Sequence, residues 1–206
     1  MATHHVARSR VGDADRVSGP RERTVSDSLR RVCVTGPEST GKTTLARRLA
    51  ERAGTEWVPE SSRWYAERVG RPLRAFDVDP IAREHIARAD AGAALERVRG
   101  VGLLVLDTDL LSTVLYARHY YGRCPRWIER AEHARRADLY LLCDVDVAWV
   151  DDGVRDRPTD RSAMYELFAR ALSRRAVPVV VIRGAWTVRW HLATSALATH
   201  AGVALG

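Results

Sequence analysis

Residues 36–43 read Gly36-Pro37-Glu38-Ser39-Thr40-Gly41-Lys42-Thr43, which fits the pattern G-x-x-x-x-G-K-[ST]. In that pattern the glycines let the backbone turn so that loop N–H groups face an anion. The lysine reaches the β- and γ-phosphates of a nucleotide, and the last hydroxyl faces Mg²⁺. Composition adds to the match: among 33 Lys and Arg residues, Lys42 is the single lysine. A compact ammonium on a flexible stem fits between two phosphates, where a planar guanidinium is too large. Gly36, Glu38, Ser39, Thr40, Gly41, Lys42, Thr43 and Thr44 are therefore the candidate nucleotide-binding residues, with ATP and Mg²⁺ as the expected ligands.

Other chemistry-bearing residues recur after apolar runs. Asp107 closes Leu103-Leu104-Val105-Leu106, and a carboxylate there with the Thr43 hydroxyl is the protein share of a Mg²⁺ site. The alternative for such an aspartate is capping the next helix, and Asp109 is the better placed of the two for that. Asp109 stays open between capping and binding substrate. Glu60 follows a second short run and is the leading general base for a hydroxyl acceptor, or else a charge at a first helical turn. Arg63, one turn later, could hold substrate or pair with Glu60. The polar stretch from Trp149 to Arg161 carries Arg155, Arg157 and Arg161. It reads as a lid whose guanidinium groups meet transition-state charge, Arg155 or Arg157 ahead of Arg161. Its alternative is a loop of surface ion pairs. Trp64, Tyr65, Tyr120, Tyr121 and Trp127 could stack a planar base, though most aromatic residues at helical spacing belong to a core.

These residues need a frame. Arg31–Thr35 is a short β-branched run, and Leu45, Leu49 and Ala53 then recur at helical spacing before Gly54. Strands are expected at 31–35, 55–60, 102–107, 139–144 and 177–182. Helices are expected at 44–54, 61–69, 80–98, 109–121, 126–136, 163–175 and 187–200. Continuous apolar strands alternating with helices predict an α/β domain of three layers, with a parallel sheet covered on both faces. In such sheets ligands bind at the carboxyl ends of the strands, where the candidate residues fall. Residues 1–29 are polar and lack apolar periodicity, so they read as a flexible extension of a domain at 30–206.

The 206-residue chain is long enough for one domain with a sizeable core. It contains no apolar run long enough for a membrane span and no visible secretory signal. Cys33, Cys124 and Cys143 lack metal-type spacing, and Cys33 and Cys143 fall in strand-like runs, so buried free thiols and a cytoplasmic location are expected. The net charge of +7 raises nucleic acid as a partner. The arginines are spread over the chain, however, and no nucleic-acid motif accompanies them, so a small-molecule acceptor is the expected partner.

Several segments together carry a resemblance. They are the glycine loop, Pro59-Glu60-x-x-Arg63-x-Tyr65, Ile81-Ala82-x-x-His85, Asp107-Thr108-Asp109, Tyr121-Gly122-x-Cys124-Pro125 and Trp149-Val150-Asp151-Asp152-Gly153-x-Arg155. In that order, over about residues 31–200, the chain resembles the P-loop ribosylnicotinamide kinase domain of NadR-type proteins and their stand-alone relatives. The resemblance implies a P-loop kinase fold with strand order 2-3-1-4-5 and an Arg-bearing lid. It implies ATP-dependent phosphorylation of the 5′-hydroxyl of nicotinamide riboside, a step of NAD biosynthesis. On this reading Lys42, Glu60, Asp109, Arg155 and Arg157 serve catalysis, Glu60, Arg63, Tyr65, Asp109 and Trp127 meet the acceptor, and Thr43 and Asp107 hold the metal. Two departures accompany it. NadR proteins carry an adenylyltransferase domain ahead of the kinase, and only about 30 residues precede the glycine loop in this sequence, so adenylyl transfer and DNA binding by such an extra domain are not expected. An aromatic residue precedes the motif glutamate in that family, where this chain has Pro59. The competing reading is a P-loop ATPase or switch acting through a protein or nucleic-acid partner.

Overall fold

The computed structural model of the chain describes residues 29–147 and 160–205. Of the expected extension only Leu29 falls within them, packed against the core. The lid residues Arg155 and Arg157 lie outside the described residues.

Five strands form one sheet: β1 Arg30–Thr35, β2 Trp57–Val58, β3 Leu103–Asp107, β4 Leu139–Cys143 and β5 Val179–Ile182. Their order is β2-β3-β1-β4-β5, and every neighbouring pair is parallel. The helices are α1 Lys42–Ala53, α2 Ser61–Val69, α3 Val78–Arg99, α4 Leu110–Tyr121, α5 Arg126–Ala134, α6 Arg161–Ser173 and α7 Trp186–Ala196. This is the expected P-loop kinase fold, with all strand ends that precede a helix at one edge of the sheet.

The unbroken apolar strands are explained by covering on both faces. Side chains alternate across a strand, so odd and even positions enter different layers. Val32, Val34, Leu103, Val105, Leu139 and Leu141 pack with Leu45 and Leu49 of α1 and Ala193 and Ala196 of α7. Cys33, Leu104, Leu106, Tyr140 and Leu142 pack on the other side with Leu111 and Leu115 of α4 and Met164, Phe168 and Leu172 of α6. Cys33 and Cys143 are buried free thiols. Burial raises the pKa of both thiols, that of Cys143 to about 12.

One element is shorter than its sequence suggests. The run 55–60 yields a strand only at Trp57–Val58. Here side chains compete with the ladder: the Thr55 hydroxyl donates to the Leu103 carbonyl, and the Glu56 amide donates to Glu96 Oε1 at 2.8 Å. Pro59 then removes the next donor from a strand already at the sheet edge.

Candidate functional site

The glycine loop joins β1 to α1, and its geometry follows from where it must pass. Gly36 has φ +132°, and a Cβ there would lie 2.7 Å from the Cys143 carbonyl of β4. Gly41 has φ +81°, and its Cβ would meet the Trp186 ring at 2.7 Å. Both positions therefore exclude a side chain on two grounds, conformation and space. Gly41 is also the N-cap of α1, with no side-chain capping bond. No N-cap side chain competes for the first N–H groups of that helix, the groups with which a helix N-terminus can receive phosphate. Within the loop, Lys42 is buried and its Nζ donates to the Pro37 carbonyl at 2.6 Å. The Thr40 hydroxyl donates to the same carbonyl at 2.8 Å.

Asp107 stands at the end of β3, the strand next to β1, and is fully buried. The Thr43 hydroxyl donates to Asp107 Oδ2 at 2.7 Å. A hydroxyl and a carboxylate facing each other beside the glycine loop form a hard-oxygen donor pair suited to Mg²⁺, which takes few protein ligands and completes its shell with other oxygens such as water. Among the described residues, no group of three or more His, Cys, Asp or Glu gathers into a protein-only metal cage.

Asp109 turns out to be committed locally. Its Oδ1 accepts the Leu111 N–H at 3.0 Å, capping α4, and its Oδ2 accepts the Tyr140 hydroxyl at 2.7 Å. Tyr140 in turn receives Arg175 Nη1 at 2.7 Å, and Arg175 is tied to Glu132 at 2.5 Å. Burial raises the pKa of Asp109, opposed by the Tyr140 bond, the Arg175 charge and the backbone donors. With Leu106, Arg31, Arg135 and His85, it lines a small cavity of about 20 Å³, room for one water.

On the proposed acceptor side, Glu60 is the N-cap residue of α2, half-buried, with Oε1 accepting the Ser62 hydroxyl at 2.8 Å. Arg63 is half-buried on the first turn of the same helix. Tyr65 donates to Asp77, a buried carboxylate also gripped by Arg71 at 2.7 and 2.9 Å. These bonds hold Asp77 below the usual carboxylate pKa, Arg71 contributing most. Trp127 donates from Nε1 to Asp79 at 2.8 Å, lies under Arg83, and packs in the cluster of α3, α4 and α5. Tyr65 and Trp127 are thus each engaged with a carboxylate on the segment that opens α3.

Three features escaped the sequence. Arg189 of α7 is only 1% exposed and bonds Thr40 O at 3.1 Å, Gly184 O at 2.9 Å and the Asp146 carboxylate. Arg161, ranked behind Arg155 and Arg157 for a lid role, reaches Ser39 O at 3.1 Å and Val147 O at 3.0 Å. Ser39 and Thr108 have positive φ, 52° and 68°, although neither is glycine. No local signal marks one arginine in an arginine-rich chain; only contacts across more than a hundred residues do.

Comparison with known proteins agrees with this geometry. The trifunctional NAD biosynthesis/regulator protein NadR of Salmonella typhimurium is 29% identical over 163 residues, 76% of this chain and 39% of that protein. The Escherichia coli NadR is 29% identical over 158 residues, 74% of this chain and 38% of that protein. This chain therefore spans about two fifths of the length of these relatives. Among solved structures, a NadR protein in complex with NR superposes with a TM-score of 0.69 at 26% identity, covering 88% of this chain and 54% of that one. A thymidylate kinase from Ehrlichia chaffeensis shares the fold at 14% identity and a TM-score of 0.57, covering 82% of this chain and 98% of that one. Residues 31–189 match the AAA domain model, and so the chain belongs to the AAA domain family of P-loop proteins, with NadR proteins among its homologues.

Proposed function

We propose that the protein is an ATP-dependent kinase that phosphorylates the 5′-hydroxyl of nicotinamide riboside to give nicotinamide mononucleotide. The observation that carries this reading is the uncapped glycine loop, with Thr43 facing Asp107 and Glu60 two strand positions away at the same sheet edge. Similarity to a NadR protein in complex with NR, and to another in complex with NAD and AMP-PNP, supports the choice of acceptor and donor.

The strands lie about 4.8 Å apart, so the end of β2 is about 10 Å from the end of β1 across β3. That span leaves room for a γ-phosphate and an acceptor hydroxyl between the loop and Glu60. Loop N–H groups and Lys42 hold the phosphates, Lys42 exchanging the Pro37 carbonyl for phosphate oxygens. Thr43 and Asp107 would hold Mg²⁺, which when bound neutralises charge on the phosphate oxygens. Glu60, oriented by Ser62, accepts the proton of the acceptor hydroxyl. The hydroxyl oxygen bonds to the γ-phosphorus as the bond to the β–γ bridging oxygen breaks, and ADP leaves. Arg63, Tyr65 and Trp127 border the acceptor, and Arg155 and Arg157 meet the charge on the transferring group. Asp109 holds the start of α4 beside the site. A cytoplasmic setting suits both ATP use and the reduced thiols of Cys33 and Cys143.

The test is incubation with Mg-ATP and nicotinamide riboside, reading nicotinamide mononucleotide and ADP. Glu60→Gln is expected to lower kcat about 10²–10⁴-fold with unchanged ADP affinity. Silence with nicotinamide riboside but turnover of another nucleoside or vitamin would replace the acceptor. Silence with all of them, with hydrolysis stimulated by nucleic acid or a protein, would replace the kinase by the switch reading.

A further inference from the structure

We propose that Arg161 and Arg189 are positioning residues that set the direction of two consecutive peptide planes in the glycine loop, making its phosphate affinity depend on side chains from outside it. This rests on the reading that the loop takes nucleotide phosphates.

The two guanidinium groups grip adjacent carbonyls. Arg161 Nη2 donates to Ser39 O at 3.1 Å, and Arg189 Nη1 donates to Thr40 O at 3.1 Å. A trans peptide is planar, with its C=O and the following N–H pointing in opposite directions. The described chain contains no cis bond. Drawing the Ser39 carbonyl toward Arg161 therefore turns the Thr40 N–H away from that arginine. Drawing the Thr40 carbonyl toward Arg189 does the same for the Gly41 N–H. These two amides lie in the stretch that cradles phosphate. A flipped plane would present a carbonyl in place of an amide and repel the anion.

The loop needs this help at one residue, because positive φ suits Gly41 but not Ser39, which carries a Cβ. Ser39 is at φ 52° and Gly41 at φ 81°. A non-glycine residue at positive φ persists where its surroundings over-determine it. Arg189 is suited to that task because its whole fork is fixed. Nε donates to Gly184 O at 2.9 Å, Nη2 donates to Asp146 Oδ1, and Asp146 Oδ2 accepts the Gly184 N–H at 2.5 Å. Arg161 is fixed by a second carbonyl, Val147 O at 3.0 Å. Both arginines thereby join the segment after β4 to the glycine loop, and Arg189 adds the turn after β5.

The experiment measures ADP binding by calorimetry and steady-state kinetics on the full chain. Arg161→Gln and Arg189→Gln are compared with Arg47→Gln, which removes the same charge from an exposed position of α1. Each of the first two is expected to weaken ADP about tenfold, the size of one lost charge-assisted bond. Each should raise KM for ATP alike, with KM for the acceptor unchanged. Arg47→Gln is expected to stay within about twofold of wild type. Arg189 is buried and its variant could lose stability, so circular dichroism and Tm accompany each measurement, and Arg161→Gln, at a half-buried position, carries the test if Arg189→Gln does not fold. Folded variants that bind ADP as wild type does would overturn the positioning role, as would equal rises in both KM values. Wild type failing to bind ADP would instead overturn the nucleotide reading beneath it.

Discussion

Two neighbouring strands lead into helices by turns that end in opposite ways. After β1 the chain reaches α1 through Gly41, which offers no side chain to the first helical turn. After β3 it reaches α4 through Thr108 and Asp109, whose carboxylate accepts the Leu111 N–H and the Tyr140 hydroxyl. Both turns use a non-glycine residue at positive φ, Ser39 in one and Thr108 in the other. Every helix start leaves N–H groups that something must satisfy. At α4 the chain's own Asp109 carboxylate satisfies one of them, the Leu111 N–H. At α1 no side chain caps the helix, as at every described α-helix but α4, and Lys42 and Thr43 stand at its start. Of the two turns, the first carries the glycines, lysine and threonine of the motif, and the second carries a capping carboxylate.

The comparison can be broken at several points. Lys42→Arg attacks the open turn directly. Turnover should fall by about 10³-fold or more with Tm essentially unchanged, because the guanidinium cannot enter the phosphate slot. A fully active Lys42→Arg enzyme would show that the lone lysine is compositional accident. Gly41→Ala should cost about tenfold or more in ADP affinity, since its Cβ strains the turn and drives into the Trp186 ring. Gly54→Ala, a helix-ending glycine with open space around it, should cost only about 1 kcal/mol of stability and no affinity.

Asp109 tests the closed turn. Asp109→Ala should lower stability by about 2–4 kcal/mol, from the lost cap and the Tyr140 hydroxyl left without an acceptor. Asp109→Asn keeps a capping oxygen and should retain most turnover. If Asp109→Asn loses turnover as Lys42→Arg does, at unchanged Tm, the general base is Asp109 and not Glu60.

A smaller effect comes from His85, which shares the small cavity with Asp109. Burial, helped by the Arg135 charge and opposed by Asp90, lowers its pKa from 6.5 to about 4. Between those values the unfolded chain binds a proton that the folded chain does not. Stability is therefore lost as pH falls from about 6.5 toward 4. His85→Gln should flatten that slope, recovering on the order of 2 kcal/mol near pH 4.5, as read from urea midpoints.

Much of this was legible in the chain. The alternation of apolar strands and helices gave the three-layer architecture, because residues buried on both faces of a parallel sheet must all be apolar. The helix Ser61–Val69 was read to the residue, since Gly70 takes the left-handed conformation that ends it. β2 is shorter than its apolar run implies because competition from Thr55 and Glu96 for backbone groups leaves no pattern in a local window. The sequence leaves Asp109 open between two roles because its second partner, Tyr140, is 31 residues away.

The sequence by itself determined the glycine-loop motif and its place between a strand and a helix, since glycine, lysine and threonine at fixed spacing are a local pattern. It determined the sheet and its layers, since periodicity is local. The tertiary structure alone decided which arginines meet the glycine loop. Arg189 meets Thr40 across 149 residues, and Arg161 meets Ser39 across 122. Guanidinium groups are alike in a linear chain, and only folding brings two of them to consecutive carbonyls of the loop.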